Sequence, residues 1–196
     1  MIEDYLVNEL RTISLSMFRK NFFGIFHGSI SARVEHNKFI INKKDAIFDG
    51  LKASDLIELY SKKDYRWNEA SIDADIHLNI YKNISEAKYV CYAMPPFITA
   101  YTLTHDVIVP RDYFGATSFG NIQVYDPKQF DDWYERADVE IYRYMIEKKK
   151  KLMVIRGYGI YAYDRDMHQI AKTIAVLENS CKLLHRANEQ ERSIIH

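Results

Sequence analysis

Two side chains set one helical turn apart carry the clearest chemistry in this chain. They are Asp73 and His77, within Ser71-Ile72-Asp73-Ala74-Asp75-Ile76-His77. A carboxylate and an imidazole at i and i+4 share one face of a helix. Such a pair can hold a metal ion or pass a proton. As a motif it is weak, and the plainer reading leads: Asp73 caps the helix and His77 is a satisfied structural histidine. His27, before Gly28, stands alone, and lone histidines more often serve surface or structure. No segment presents a Ser-His-Asp or Cys-His nucleophile. The chain has seven glycines, and none falls in a G-x-G-x-x-G or phosphate-loop pattern. Cys91, inside the apolar run Tyr89–Ala93, and Cys181, on an amphipathic helical pattern, read as buried free thiols.

Composition narrows the function classes. Lys+Arg and Asp+Glu balance at 27 each, and the pI is near 7.1. A neutral chain lacks the electrostatic footprint of a nucleic-acid binder. The one basic block, Lys148–Lys151, follows Glu147 at the end of a helical pattern. It reads as a solvated helix end whose cations complement the helix dipole, with anion binding the lesser reading. At 196 residues the chain is expected to form one domain, 1–196, burying roughly 70% of its unfolded surface. No apolar run approaches the roughly 18 residues of a membrane span. Met1-Ile2-Glu3-Asp4 carries no signal-peptide pattern, so a cytoplasmic, reduced protein is expected. Fifteen tyrosines against ten phenylalanines favour an oligomer, because amphipathic rings suit interfaces as well as cores.

The elements that must position these residues follow from periodicity. Residues 3–22 predict a helix with Tyr5, Leu6, Leu10, Ile13, Leu15 and Met17 on an imperfect stripe. Ser29–Val34 and Lys38–Asn42 predict a hairpin across His36-Asn37, and Asp55–Tyr60 a third strand. Ile72–Tyr81 predicts a helix with Ser71 at its N-cap and acidic residues in its first turn. Tyr89–Ala93 is a short buried strand stopped by Pro95-Pro96, with Pro96 opening a helix over Phe97–Thr104. Asp106–Pro110 and Asn121–Tyr125 are further strands. Asp126-Pro127 is expected to open a helix to about Lys150, with Phe130, Trp133, Ala137, Ile141, Tyr144 and Met145 inward. Leu152–Arg156 and Gly159–Tyr163 form a strand pair, and Asp166 caps a last helix to about Arg192. Short turns between strands favour antiparallel pairing. The expected fold class is α/β: a three-layer sandwich with a mostly antiparallel central sheet flanked by helices.

With the elements in this order, the chain resembles the class II aldolase/adducin head-domain family, which includes fuculose-phosphate aldolase. The resemblance spans about residues 5–185. The family's G-N-x-S-x-R strand reads Gly28-Ser29-Ile30-Ser31-Ala32-Arg33. Its F-L-I-T-P-S-G strand reads Phe39-Ile40-Ile41-Asn42-Lys43-Lys44-Asp45. Its S-S-E-x-x-x-H helix reads Ser71 to His77. Its V-H-x-H-P-P segment reads Cys91-Tyr92-Ala93-Met94-Pro95-Pro96, and its R-N-H-G segment reads Arg156-Gly157-Tyr158-Gly159.

The resemblance implies a site and also its alteration. In catalytic members three histidines hold a zinc ion that polarises a sugar-phosphate carbonyl. Their places are taken here by Tyr92, Met94 and Tyr158, a phenol, a thioether and a phenol, which are poor zinc ligands. These three residues either fill the former metal hole or reline it as a binding pocket. The family's acid/base glutamate is matched by Asp73, one methylene shorter. Ser29 and Ser71 remain from its phosphate-holding loops, while the glycine near Asp45 is lost and Ile72 replaces a serine. Lys43 and Lys44 offset the Asp45 charge only if they point inward, and hairpin lysines point outward more often. The expectation is a domain without zinc or other cofactor that has lost aldolase activity and serves in binding or assembly. The alternative is a sugar-phosphate aldolase or epimerase with an altered site, using zinc or another divalent metal. The resemblance further implies a homo-oligomer, most simply a tetramer, and a small sugar-phosphate-like ligand.

Overall fold

A computed structural model describes residues 4–25 and 27–194. The start of the first expected helix, at Glu3, lies outside the described residues. Among the described residues eight strands form one sheet in the order β3-β2-β1-β4-β8-β7-β6-β5. They are β1 (Ser29–Glu35), β2 (Lys38–Asn42), β3 (Leu56–Tyr60), β4 (Tyr89–Ala93), β5 (Val107–Ile108), β6 (Ile122–Tyr125), β7 (Leu152–Ile155) and β8 (Gly159–Asp164). Of these pairings only β6–β7 is parallel, so the sheet is mixed and mostly antiparallel.

Six α-helices among the described residues accompany the sheet: α1 (Asp4–Arg19), α2 (Ala74–Asn83), α3 (Pro96–Thr102), α4 (Tyr113–Phe119), α5 (Trp133–Lys148) and α6 (Met167–Ile194). Two apolar clusters show how they divide. Leu6, Leu10 and Met17 of α1, Ile98 of α3 and Ile170, Ile174 and Leu177 of α6 pack with Ile30, Cys91, Val154 and Ile160. On the opposite face Ile76 and Ile80 of α2 and Trp133, Ala137, Ile141 and Met145 of α5 pack with Ile41, Val90, Met153 and Tyr161. The alternation of side chains along each strand makes this division. In β4, Val90 and Tyr92 serve one cluster and Cys91 and Ala93 the other. The three-layer α/β sandwich is thus present, and both cysteines are buried and free.

Three readings need correction. The helix expected from Asp126-Pro127 begins at Trp133 instead. Asp126 Oδ1 accepts from the Lys128 amide at 2.8 Å, and Lys128 takes a φ of 65°; this side-chain-closed turn holds the segment in a loop. Phe130, expected inward, is therefore exposed. Helix α4 was not anticipated: its only signal is Asp112, whose Oδ2 accepts from the Gly115 amide at 2.9 Å. Ser71 is not the N-cap of α2, which starts at Ala74 with Asp73 in the cap position and no side-chain cap bond. The Ser71 hydroxyl instead accepts from the Asp73 amide at 3.2 Å, holding the turn that leads into the helix.

Two glycines let the strands around the site close up. Gly159 has a φ of 134°, and a Cβ there would sit 2.2 Å from the Ala93 carbonyl oxygen, so β8 meets β4 only without a side chain. Gly28, at φ 133°, would drive a Cβ to 2.5 Å from the Phe23 ring. Helix α3 is capped from across the fold. Glu178 of α6 accepts from the amides of Phe97 (2.9 Å) and Ile98 (2.8 Å), satisfying two donors that a helix start leaves free.

Candidate functional site

At one end of β1, β2 and β4, the turn before α2, the first turn of α5 and the β7–β8 turn enclose a cleft of about 300 Å³. Gly28, Asn42, Lys44, Ser71, Asp73, Tyr92, Met94, Tyr134 and Tyr158 line it, with His27 at its rim. Ser71, Asp73, Tyr92, Met94 and Tyr158 therefore converge, while Ser29, His77, Lys43 and Asp45 do not line the cleft. Ser29 lies fully buried and reaches the cleft through Asp73.

Asp73 is 2% exposed. Its Oδ2 accepts from the Ser29 hydroxyl at 2.7 Å, while Oδ1 has no hydrogen-bond partner among the described residues. Burial pushes its pKa up to about 6, against the opposing pull of the Ser29 bond and the nearby Tyr161 and Tyr134 hydroxyls. The Tyr161 hydroxyl is likewise buried and without a partner of normal geometry. The Tyr161 and Tyr134 hydroxyls lie close enough to lower the Asp73 pKa without either making a well-formed bond to Oδ1.

Beneath Asp73 runs a file of hydrogen bonds with a fixed direction. Ser29 has one proton and gives it to Asp73, so its oxygen accepts from His77 Nε2 at 2.8 Å. His77 Nδ1 then accepts from the Ser31 hydroxyl at 2.6 Å. Ser31 accepts from Tyr81 at 2.7 Å. His77 is fully buried, and burial pushes its pKa down to about 3, so it stays neutral. It is structural, as the plainer reading expects, while its neighbour in the file, Asp73, faces the cleft. The strand motif is spent on the same architecture: Arg33 donates to the carbonyls of Ile84 (3.1 Å) and Tyr81, closing the C-terminal end of α2.

The three positions matched to zinc histidines do not act together. The Tyr92 hydroxyl donates to the Tyr158 carbonyl at 2.7 Å. Its ring packs on Tyr158 at 4.9 Å and Tyr161 at 4.8 Å. The Tyr158 hydroxyl engages that of Tyr134. Burial, and then the Asp73 carboxylate, push both phenols up, well away from the phenolate a metal needs. Met94 is 38% exposed at the rim. So Tyr92 and Tyr158 pack against each other, whereas Met94 is not part of a buried plug. No cluster of three or more His, Cys, Asp or Glu suited to a metal ion forms among the described residues. The donor set does not fit zinc.

The two lysines part: one follows the outward expectation and the other does not. Lys43 points away and pairs with Glu69 at 3.4 Å. Lys44 lines the cleft, and Asp45 does not. Two lining residues had no sequence signal: Tyr134 falls inside a helix expected to start earlier, and Asn42 closes an ordinary strand. Lys44 reads only as a lysine that matters if it points inward, and it lines the cleft. Asn42 Oδ1 accepts from the Ile30 amide at 2.9 Å, tying β2 to β1 beside the cleft.

This fold and site define a class. Residues 8–185 match the model of the class II aldolase and adducin N-terminal domain, and the chain belongs to that family. Among solved structures it is similar to the L-fuculose-1-phosphate aldolase of Thermus thermophilus, with TM-score 0.84 and 19% identity over 96% of this chain and 97% of that one. A sugar-phosphate aldolase from Thermotoga maritima superposes with TM-score 0.72 at 11% identity, covering 95% of this chain and 96% of that one. The N-terminal class II aldolase domain of a conserved Thermoplasma acidophilum protein gives 0.64 at 13% identity, covering 94% of each chain. No curated protein sequence matches the chain.

Proposed function

We propose that this class II aldolase-like domain has lost zinc-dependent aldol chemistry and uses its cleft to bind a small anionic, hydroxylated ligand of the sugar-phosphate kind. The observation that carries this reading is the state of Tyr92 and Tyr158. Their hydroxyls are already engaged, by the Tyr158 carbonyl and by Tyr134, and their rings, at two of the positions matched to zinc histidines, pack 4.9 Å apart. The rest of the cleft suits a ligand. Lys44 offers charge, Ser71 offers a hydroxyl, and Asp73 Oδ1, without a well-formed partner, offers an acceptor for a ligand hydroxyl. The domain is further proposed to assemble with copies of itself, in a tetramer. Leu103 and Phe130, which flank Gly157, and the Tyr113–Phe114 pair, with ring centroids 5.4 Å apart, are exposed apolar groups near or beyond the cleft rim.

The test is calorimetric titration of L-fuculose 1-phosphate and a small panel of other ketose phosphates, with a chelator present. Binding is expected, weakened about tenfold or more by Lys44→Glu, roughly 1.4 kcal/mol. Absence of binding across the panel, or affinity indifferent to Lys44→Glu, defeats the reading. A second reading keeps catalysis as an aldolase or epimerase with an altered site. Its supporting observation is Asp73, an acid whose pKa of about 6 suits proton transfer near neutrality.

A further inference from the structure

Far from the cleft, the four-lysine run has a cavity beside it. A second opening of about 310 Å³ lies between the end of α4, strand β6, the α5–β7 connection and the first turns of α6. It shares no lining residue with the cleft. Helix α5 spans the two: Tyr134 in its first turn lines the cleft and Lys148 in its last lines the second cavity. At 1.5 Å of rise per residue these positions stand about 21 Å apart along the axis.

The lining has two characters. Its wall is apolar, from Phe119, Ile122, Leu152, Ala162 and Ile170, all members of the core on that face or packed against it. Its rim carries all four of Lys148, Lys149, Lys150 and Lys151, against the single carboxylate of Asp164. Among the described residues only Lys151 has an ion-pair partner, Asp164 at 3.2 Å. Lys148, Lys149 and Lys150 thus line one apolar hollow without an ion-pair partner among the described residues.

The helix dipole does not account for this. It favours cations in the last turn, yet Lys150 and Lys151 lie beyond α5, and Lys151 directly precedes β7. Nor does local conformation select for lysine. Lys149 adopts the left-handed conformation that ends the helix, at φ 52°, a place normally taken by glycine or asparagine. A β-carbon there is unfavourable by about 1 kcal/mol. The unpaired Lys150 and the strained Lys149 are explained if something negative sits at the rim while an apolar body fills the hollow.

We propose that this cavity is a second ligand site, for an organic anion that carries a phosphate or similar group on an apolar ring. The apolar wall takes the ring and Lys148–Lys150 take the charge. Inorganic phosphate lacks the ring, and a neutral ring lacks the charge, so neither should bind well. The site stands on its own residues and does not depend on the reading of the cleft.

The test uses 1-naphthyl phosphate as the probe, with inorganic phosphate and 1-naphthol as its two halves, followed by protein-observed NMR. Naphthyl phosphate is expected to shift amides of residues 148–152 and 170–173, and to bind at least about tenfold more tightly than either half. Raising the salt should weaken it, as the Debye length falls from about 10 Å at 0.1 M to about 3 Å at 1 M. The double variant Lys148→Glu/Lys150→Glu changes exposed side chains and should fold; it is expected to lose binding at least about tenfold. Thr173→Trp fills the hollow without touching the charges and should also abolish binding, with thermal unfolding confirming that the variant is folded. Lys44→Glu in the cleft should leave the affinity unchanged. The proposal is overturned if naphthyl phosphate does not bind, if the double lysine variant binds it equally well, or if Lys44→Glu is the variant that loses it.

Discussion

Replacing Asp73 by asparagine should stabilise the protein at neutral pH, by an amount set by pH. Asp73 has a folded pKa of about 6 against an ordinary value of 3.8, because burial disfavours its charged form. Between those two pH values the native state holds a proton that the unfolded chain has released. Stability therefore falls as pH rises through this window. It is fully present below 3.8 and is reduced by the whole amount above about 6. A gap of about two units at 1.36 kcal/mol each gives roughly 3 kcal/mol. Asparagine has nearly the same shape, and its carbonyl still accepts from Ser29, but it carries no charge to desolvate. Whatever fixed offset the amide introduces, the stability of Asp73→Asn relative to the parent should climb by about 2–3 kcal/mol between pH near 4 and pH near 7.5. For a chain of this size that is a differential melting shift of roughly 5–10 °C. Urea denaturation of both proteins at several pH values measures it, and every other titrating group cancels in the difference. A difference that stays flat with pH would mean that Asp73 is solvated or partnered in solution. The account of it as an acid kept at a functional site would then be wrong.

The remaining predictions concern the same neighbourhood. His77→Ala strands the Ser29 and Ser31 hydroxyls in the core and should destabilise by about 2–4 kcal/mol in denaturant melts; retention of full stability would remove the hydrogen-bonded file. The His77 ring, held at a pKa of about 3 by burial, should show no titration by NMR between about pH 5 and pH 8, and stability should be lost on its account only as pH falls from about 6.5 towards 3. Restoring histidines with Tyr92→His, Met94→His and Tyr158→His should cost about 3–5 kcal/mol without metal, almost all of it at the two packed tyrosines. Zinc at a hundredfold its dissociation constant should return about 2.7 kcal/mol, and an apo variant as stable as the parent would contradict the packing described. Light scattering should give a mass well above the 23.2 kDa of one chain, most simply fourfold, and a monomer across a wide concentration range would reject self-assembly.

How far the sequence could be read depended on whether local chemistry or tertiary contact set each residue's place. Strands β1, β4, β7 and β8 were legible because buried runs with a glycine or proline at one end admit few other readings, and β2 because the His36-Asn37 turn pairs it with β1. Helix α5 was misplaced because Asp126-Pro127 has the look of a helix start, yet the Asp126 carboxylate closes a turn on Lys128 instead. Helix α4 is short, contains Gly115 and Thr117 and has one buried residue, so it leaves almost no periodic trace. Within the site, Asp73, Ser71, Tyr92 and Tyr158 were found through their place in family motifs. Tyr134 was not, and Lys44 stayed undecided, because nothing in their local sequence says that two separate elements bring them to one cleft. Met94 shows the reverse: its motif position suggested burial, while the turn before α3 leaves it at the rim.

The most direct test of the central claim is carbon–carbon cleavage of L-fuculose 1-phosphate, followed by NMR with and without added zinc. If the tyrosines have displaced the metal chemistry, the sugar phosphate should remain intact at background rate in both conditions, and elemental analysis should find no stoichiometric zinc on chelator-free protein. Zinc-dependent cleavage that Asp73→Asn abolishes would contradict the account and make this chain an aldolase with an altered site.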